Sequence, residues 1–141
     1  MALSVSEREK FLAEPHIGAL SVSAGPDRGP LTVPVWYQYA PGGELWVLTG
    51  ADSRKAKLIK EAGRFTVMVE RLEPTVRYVS VEGPVARMVP GTDDQLLEMT
   101  SRYLPEERVG PYLEFAKANL PEDVAVYMSP QRWLSADLGT S

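Results

Sequence analysis

A cluster of positive charge interrupts an otherwise acidic chain in the stretch TGADSRKAKLIKEAG, which covers residues 49–63. The chain has a formal net charge of -4, yet this stretch holds four basic residues close together, namely Arg54, Lys55, Lys57 and Lys60. Asp52 or Ser53 can cap a helix here, and Gly63 can end it. The first turn of such a helix presents free backbone N–H groups and the positive end of the helix dipole. These features favour the binding of a phosphate group.

Lys55 has an unusual position on this predicted helix, which runs from about residue 53 to residue 62. Helical spacing places it at the head of an apolar stripe that continues through Leu58, Ile59 and Ala62, while Arg54 and Lys57 share the opposite side. A lysine in this position is either a ligand for an anion or a side chain whose amine reaches solvent above a buried stem. The residues alone leave both interpretations open.

The composition is typical of a soluble globular protein and excludes several classes of function. Hydrophobic residues make up 44% of the 141 positions and charged residues 24%, which indicates one ordinary domain over residues 1–141. No apolar run is long enough for a membrane span, and the N-terminus lacks the pattern of a signal peptide. The absence of cysteine excludes disulfides and thiolate metal sites. We therefore expect a cytoplasmic protein without membrane contacts, and the acidic balance argues against nucleic-acid binding.

The chain contains a single histidine, His16. Zinc sites of the HExxH type need two histidines, and a Ser-His-Asp triad would have to use His16 although no G-x-S-x-G segment is present. His16 follows Pro15 at the head of an apolar run, so we interpret it as a structural residue at a strand end, with a haem ligand as the alternative. No metal site is predicted, and any redox chemistry would come from a bound cofactor.

Apolar and aromatic runs bounded by glycine and proline predict six strands. They cover residues 16–23, 31–39, 44–50, 64–71, 76–89 and 123–136, and Gly83-Pro84 predicts a bulge or bend in the fifth. Helices are predicted at 6–14, 53–62, 92–103 and 110–119, the first capped by Ser6 with Glu9 and the third by Thr92. This order predicts a mainly β fold with α-helices: an antiparallel barrel of about six strands with helices inserted after strands three and five.

Two motifs resemble the pyridoxamine 5′-phosphate oxidase-like superfamily of FMN-binding split barrels. The first is T-x3-SRKA, from Thr49 to Ala56 at the predicted strand-to-helix junction, which is similar to the family's flavin-phosphate segment. The second is R-x-V-x-V-E-G, from Arg77 to Gly83. Both occur in the matching order and spacing, and the resemblance covers about residues 11–136. It implies a split β-barrel homodimer with a flavin or deazaflavin in each of two clefts at the subunit interface.

The resemblance also implies which residues would contact the cofactor. The phosphate would be held by Ser53, Arg54 and Lys55, with Lys57 close by. The chain and the ring of the cofactor would lie against five further residues: Leu48, Thr49, Pro34, Val35 and Trp36. Tyr78 would reach the cofactor across the subunit interface, and Arg132, beside Trp133, would lie near the same cleft.

Departures from the vitamin B6 oxidases indicate a different branch of the superfamily. Those enzymes carry an arginine and a lysine on the second strand, whereas the matching run here, LTVPVWYQY, has no basic residue. The chain looks most like the single-domain reductases that use the deazaflavin coenzyme F-420, whose anionic phosphate and polyglutamate tail suit the basic helix. The resemblance therefore implies an oxidoreductase that transfers hydride from reduced F-420 to a small unsaturated or conjugated substrate. Tyr78 is the candidate catalytic proton donor, and ordered water is the alternative donor. FMN as the cofactor, or a carrier without turnover, are the alternatives.

Overall fold

The computed structural model describes residues 1–139, which form four helices and eight strands. The helices are α1 (Val5–Ala13), α2 (Arg54–Ala62), α3 (Asp93–Tyr103) and α4 (Glu106–Asn119). The strands are β1 (Gly18–Val22), β2 (Leu31–Val35), β3 (Gln38–Tyr39), β4 (Leu45–Gly50), β5 (Arg64–Arg71), β6 (Val76–Pro90), β7 (Asp123–Met128) and β8 (Arg132–Gly139). Within this part of the chain, no helix is both long and apolar enough to cross a membrane.

The strands pair antiparallel in one curled sheet of order β2-β1-β5-β6-β7-β4-β3, with β8 added along β6. Side chains that alternate along the strands fill the interior, including Leu20, Val47, Val67 and Val81, each fully buried. Helix α2 connects β4 to β5, and α3 and α4 connect β6 to β7, so the helices follow the third and fifth predicted strands. The predicted fold class, a mainly β split barrel with inserted helices, is confirmed.

Two of the six predicted strands are each interrupted. The run 31–39 breaks at Trp36 and Tyr37, where the Tyr37 amide donates to the Tyr103 hydroxyl (3.1 Å) and not to another strand. The run 123–136 breaks at residues 129–131, because Pro130 has no amide hydrogen for a ladder. This break lets β7 pair with the second half of β6 and β8 with the first half. The predicted bend at Gly83-Pro84 lies where the partner of β6 changes.

Helix α1 begins earlier than predicted because a different serine caps it. Ser4 accepts a hydrogen bond from the Glu7 amide (3.1 Å), and the Glu7 carboxylate accepts one from the Ser4 amide (3.0 Å), so the predicted cap at Ser6 is wrong. Glu9 accepts hydrogen bonds from the Tyr39 hydroxyl and the Gly42 amide, both at 2.8 Å, and so fastens α1 to the β3–β4 hairpin. Helix α4 also begins earlier, at residue 106 and not at 110.

Asp137 joins β8 to β6 near the end of the sheet. Its carboxylate accepts hydrogen bonds from the Thr75 hydroxyl (2.7 Å), the Gly139 amide (2.8 Å) and the Arg77 guanidinium (2.9 Å). These hydrogen bonds, that from Thr75 first, lower the pKa of Asp137 from 3.8 to about 2. The carboxylate is therefore favoured in the folded state.

We expect the pH dependence of stability between about pH 4 and pH 2 to depend on Asp137. Because its folded pKa is lowered, its contribution is complete above the unfolded pKa of 3.8 and is lost as the pH falls through about 2. The Asp137→Asn variant should therefore lose less stability over this range than the wild type in urea unfolding. Asp27→Asn, in an exposed turn, is the matched control. Parallel curves for wild type and Asp137→Asn would contradict the assignment.

Candidate functional site

Helix α2 begins and ends where the sequence predicts. Ser53 is its N-cap, with the side-chain oxygen accepting a hydrogen bond from the Ala56 amide (3.1 Å), and Gly63 ends it with a left-handed φ of 73°. The hydroxyls of Ser53 and Thr49 lie 3.2 Å apart. Thr49, at the end of β4, is buried. The junction between β4 and α2 is thus held by two hydroxyls that bond to each other and to the helix.

The basic residues of α2 differ in exposure. Ala56 and Ile59 are buried, while Arg54, Lys57 and Lys60 are exposed. Lys55 is half-buried, as its place on the apolar stripe predicts. Among residues 1–139, no acceptor bonds the amides of Arg54 and Lys55, the first two of the helix. The first turn therefore has free donors beside a lysine that turns inward.

A cavity of about 300 Å³ lies beside this helix terminus. Six of the residues predicted to contact a cofactor line it: Pro34, Val35, Trp36, Leu48, Thr49 and Lys55. The structure therefore brings together the end of β2, the end of β4 and the start of α2. The wall is mostly apolar, with a few polar groups, which is the usual make-up of a small-molecule site.

Helices α3 and α4 close another side of the cavity, and the sequence analysis predicted no site residue in either helix. Leu96, Met99 and Thr100 contribute from α3, and Tyr112 from α4. Trp36 connects these helices to the sheet, since its ring stacks on Tyr103 (centroids 5.0 Å apart, planes 13° apart) and lies 5.5 Å from Tyr112. The ring of Trp36 is therefore in contact with side chains of both α3 and α4.

Asp123 is the charged residue of the cavity that sequence reasoning missed. The register of β4 with β7 places it opposite Gly50, and its side chain lines the same cavity as Lys55. Burial lowers the pKa of Lys55 and raises that of Asp123, while attraction between the two charges acts against both shifts. In the described part of the chain no salt bridge within 4 Å joins them. Both charges therefore remain available to a ligand.

Tyr78 and Arg132 lie outside this cavity, on the outer face of the sheet. Tyr78 is paired with Glu70 on β5 and with Ala136 on β8. Arg132 is exposed, with its guanidinium 4.0 Å from the Glu82 carboxylate. Arg54 and Lys57 point away from the core but flank the helix terminus. Within this chain the structure thus separates Tyr78 and Arg132 from the cavity that Lys55 lines.

Two further residues have packing roles. The ring of Trp133 contacts Arg8, whose guanidinium lies 4.6 Å from the ring centroid, and its centroid is 6.1 Å from that of Tyr39. The ring of His16 packs at a tilt of 36° against that of Phe11, with centroids 4.4 Å apart, and its Nε2 lies 3.0 Å from the Phe11 carbonyl oxygen. The interpretation of His16 as a structural residue agrees with these contacts.

The whole architecture occurs in solved structures, although no family model and no curated protein matches the sequence. A conserved hypothetical protein from Mycobacterium tuberculosis matches with a TM-score of 0.71 and 26% identity, over 97% of this chain and 86% of the other. A protein described as an F-420 reductase matches with a TM-score of 0.70 and 22% identity, over 89% and 94%. An FAD-binding protein from Mycobacterium smegmatis matches with a TM-score of 0.63 and 14% identity, over 100% of both chains.

The chain therefore shares the split-barrel fold of these solved structures, which is the fold that the resemblance of its motifs implies. In this split barrel the T-x3-SRKA motif forms the end of β4 and the start of α2, beside the cavity. The R-x-V-x-V-E-G motif lies in the first half of β6, between β5 and β8. The first motif therefore belongs to the site, and the second belongs to the sheet that supports it.

Proposed function

We propose that this split barrel is an oxidoreductase that binds coenzyme F-420 in the cavity beside α2 and reduces a small unsaturated or conjugated substrate. The observation that carries the proposal is the cavity itself, where Lys55, in the first turn of α2, meets an apolar wall. The matched structure described as an F-420 reductase supports the choice of cofactor.

The donor set at the start of α2 fits the phosphate of such a cofactor. Lys55 and the amides of the first turn would hold it, since anions bind well at a helix N-terminus beside a cation. Arg54 and Lys57 are exposed beside this terminus and would attract the anionic tail from solvent. Ser53 would act indirectly, because its hydroxyl already caps the helix.

The apolar wall fits the ring of the cofactor. Val35 is buried, and Trp36 is held in place by Tyr103 and Tyr112, so these side chains would orient a planar ring and exclude water from one of its faces. When bound, the reduced deazaflavin supplies the hydride. Leu48 and Thr49 line the path between the wall and Lys55, where the connecting chain would lie.

The proposal also includes a homodimer formed through the outer face of the sheet. A row of cross-strand neighbours crosses that face from the cavity edge: Pro34, Ala19, Met68, Ser80 and Leu134. Leu134 is 64% exposed and Ile17, next to the row, is 57% exposed, so the face presents apolar surface. Packing two copies here would bring Tyr78 of the partner subunit toward the cavity edge, where it would serve as the proton donor.

We expect the protein to sediment as a dimer at micromolar concentration. Leu134→Arg should raise the dimer dissociation constant by roughly 100-fold or more, because an unpaired charge would be buried in the interface. Leu72→Arg is the matched control, since Leu72 is 71% exposed but lies in the turn between β5 and β6. A wild-type monomer at this concentration would exclude the shared-cleft arrangement.

FMN is the alternative cofactor. It is supported by the match to an FAD-binding protein, which binds a flavin. Titration of the protein with F-420 and FMN side by side, followed by intrinsic tryptophan fluorescence, separates the two. Trp36 lies in the cavity wall, so Trp36→Phe should remove most of the quenching. If FMN binds more tightly than F-420, FMN takes the place of F-420 in the proposal.

If reduced F-420 binds but no enone or quinone oxidises it, the protein is a cofactor carrier and not an enzyme.

A further inference from the structure

Among the described residues 1–139, three polar groups of the cavity have no hydrogen-bond or ion-pair partner. The Lys55 ammonium and the Asp123 carboxylate line it without any hydrogen bond or ion pair within residues 1–139. Thr100, on the α3 wall, is fully buried, and its hydroxyl also lacks a partner. Buried polar groups are nearly always satisfied in native proteins, so the Thr100 hydroxyl indicates a missing partner. The half-buried side chains of Lys55 and Asp123 add two unpaired charges to the same cavity, which suits a ligand that contacts all three groups.

The charges around Asp123 define the chemistry of that ligand. Asp123 also borders a neighbouring cavity of about 380 Å³, to which Asp93, Glu122 and Lys117 contribute. Lys117 lies 3.9 Å from Asp93, so the far side of Asp123 holds more acidic than basic groups. A carboxylate in this position repels a bare phosphate and favours a ligand group that donates a hydrogen bond.

We propose that Asp123 accepts a hydrogen bond from a hydroxyl group of the ligand whose phosphate contacts Lys55. The cavity then selects phosphate esters of polyols over phosphate esters that lack hydroxyls. This inference rests on the proposed function, since the chain that joins phosphate to ring in both FMN and F-420 is a polyol. Thr100, which α3 contributes to the same cavity, provides a second hydrogen-bonding group for the same chain.

The test uses two simple probes, ribitol 5-phosphate and pentyl phosphate, measured by isothermal titration calorimetry. The wild type should bind ribitol 5-phosphate at least about tenfold more tightly, the effect of one charge-assisted hydrogen bond. Asp123→Ala should abolish this preference, whereas Lys55→Ala should weaken both probes equally. Glu122→Ala is the matched control, because Glu122 lines only the neighbouring cavity, and it should keep the preference.

Several results would overturn the inference. These are a wild type that binds both probes equally or binds neither, and an Asp123→Ala variant that binds both more tightly, which would mean that the carboxylate only repels phosphate. If Asp123→Ala does not fold, the preference for ribitol 5-phosphate over pentyl phosphate is measured on the wild type and on Asp123→Asn. Failure of the proposed function is a separate result, in which neither F-420 nor FMN binds while the preference for ribitol 5-phosphate persists.

Discussion

The Lys55→Ala variant should bind F-420 about 1.5–3 kcal/mol more weakly than the wild type, the usual contribution of a hydrogen bond to a charged group. This corresponds to a dissociation constant roughly 10- to 150-fold higher. The expected effect is large because Lys55 is the basic residue of α2 that lines the cavity, where partial burial strengthens its attraction for an anion. Fluorescence titration at constant salt measures it, with circular dichroism to verify the fold.

Lys60→Ala is the control for this result. Its side chain is exposed on the same helix, so the variant removes the same charge without touching the cavity. Exposed charges contribute about 0–1 kcal/mol, and salt screens them. An unchanged dissociation constant for Lys55→Ala, or equal losses in Lys55→Ala and Lys60→Ala, would reject Lys55 as the phosphate ligand.

Gly83→Ala should destabilise the protein by about 3 kcal/mol or more. A Cβ atom on Gly83 would overlap the carbonyl oxygen of Ser129 and lie 2.8 Å from its carbonyl carbon. Ser129 cannot move away easily, because its amide donates to the carbonyl of Pro84 (3.0 Å) and the Gln131 amide donates to that of Glu82 (2.8 Å). This close approach explains the glycine at the end of the R-x-V-x-V-E-G motif.

Gly29→Ala is the matched control for Gly83→Ala. Gly29 lies in the exposed loop between β1 and β2, where an added Cβ would meet nothing within 4 Å, so alanine should change the free energy of unfolding by no more than about 0.5 kcal/mol. Urea unfolding of both variants measures the difference. A Gly83→Ala variant as stable as the wild type would show that the β6 bend tolerates a side chain.

Helix α2 was predictable because its ends depend on neighbours in the sequence. Ser53 bonds to an amide three residues later, and Gly63 adopts the left-handed conformation that ends many helices. Helix α1 shows the limit of the same reasoning. Ser4 and Ser6 are each followed three residues later by a glutamate, so both offer a capping box. The carboxylate of Glu9 bonds to Tyr39 on β3, a contact that the local sequence does not show, and Ser4 with Glu7 caps the helix.

The breaks in two predicted strands were not predictable for a similar reason. The runs at 31–39 and 123–136 have the composition of continuous strands, but Tyr37 bonds to a helix far along the chain, and residues 129–131 change partner along β6. The pattern of side chains along the sequence indicates which residues suit a sheet. It does not report which strand each one meets.

By itself, the sequence determined the position of α2, the place of Lys55 on its apolar stripe and, through the order of strands and helices, the class of fold. It also identified six residues that line one cavity. Only the tertiary structure decided that α3 and α4 close that cavity, that Tyr78 and Arg132 lie on another face, and that Asp123 stands near Lys55. The physical reason is that the first set depends on local helix chemistry, whereas the second depends on the register between strands distant in sequence, such as Gly50 with Asp123.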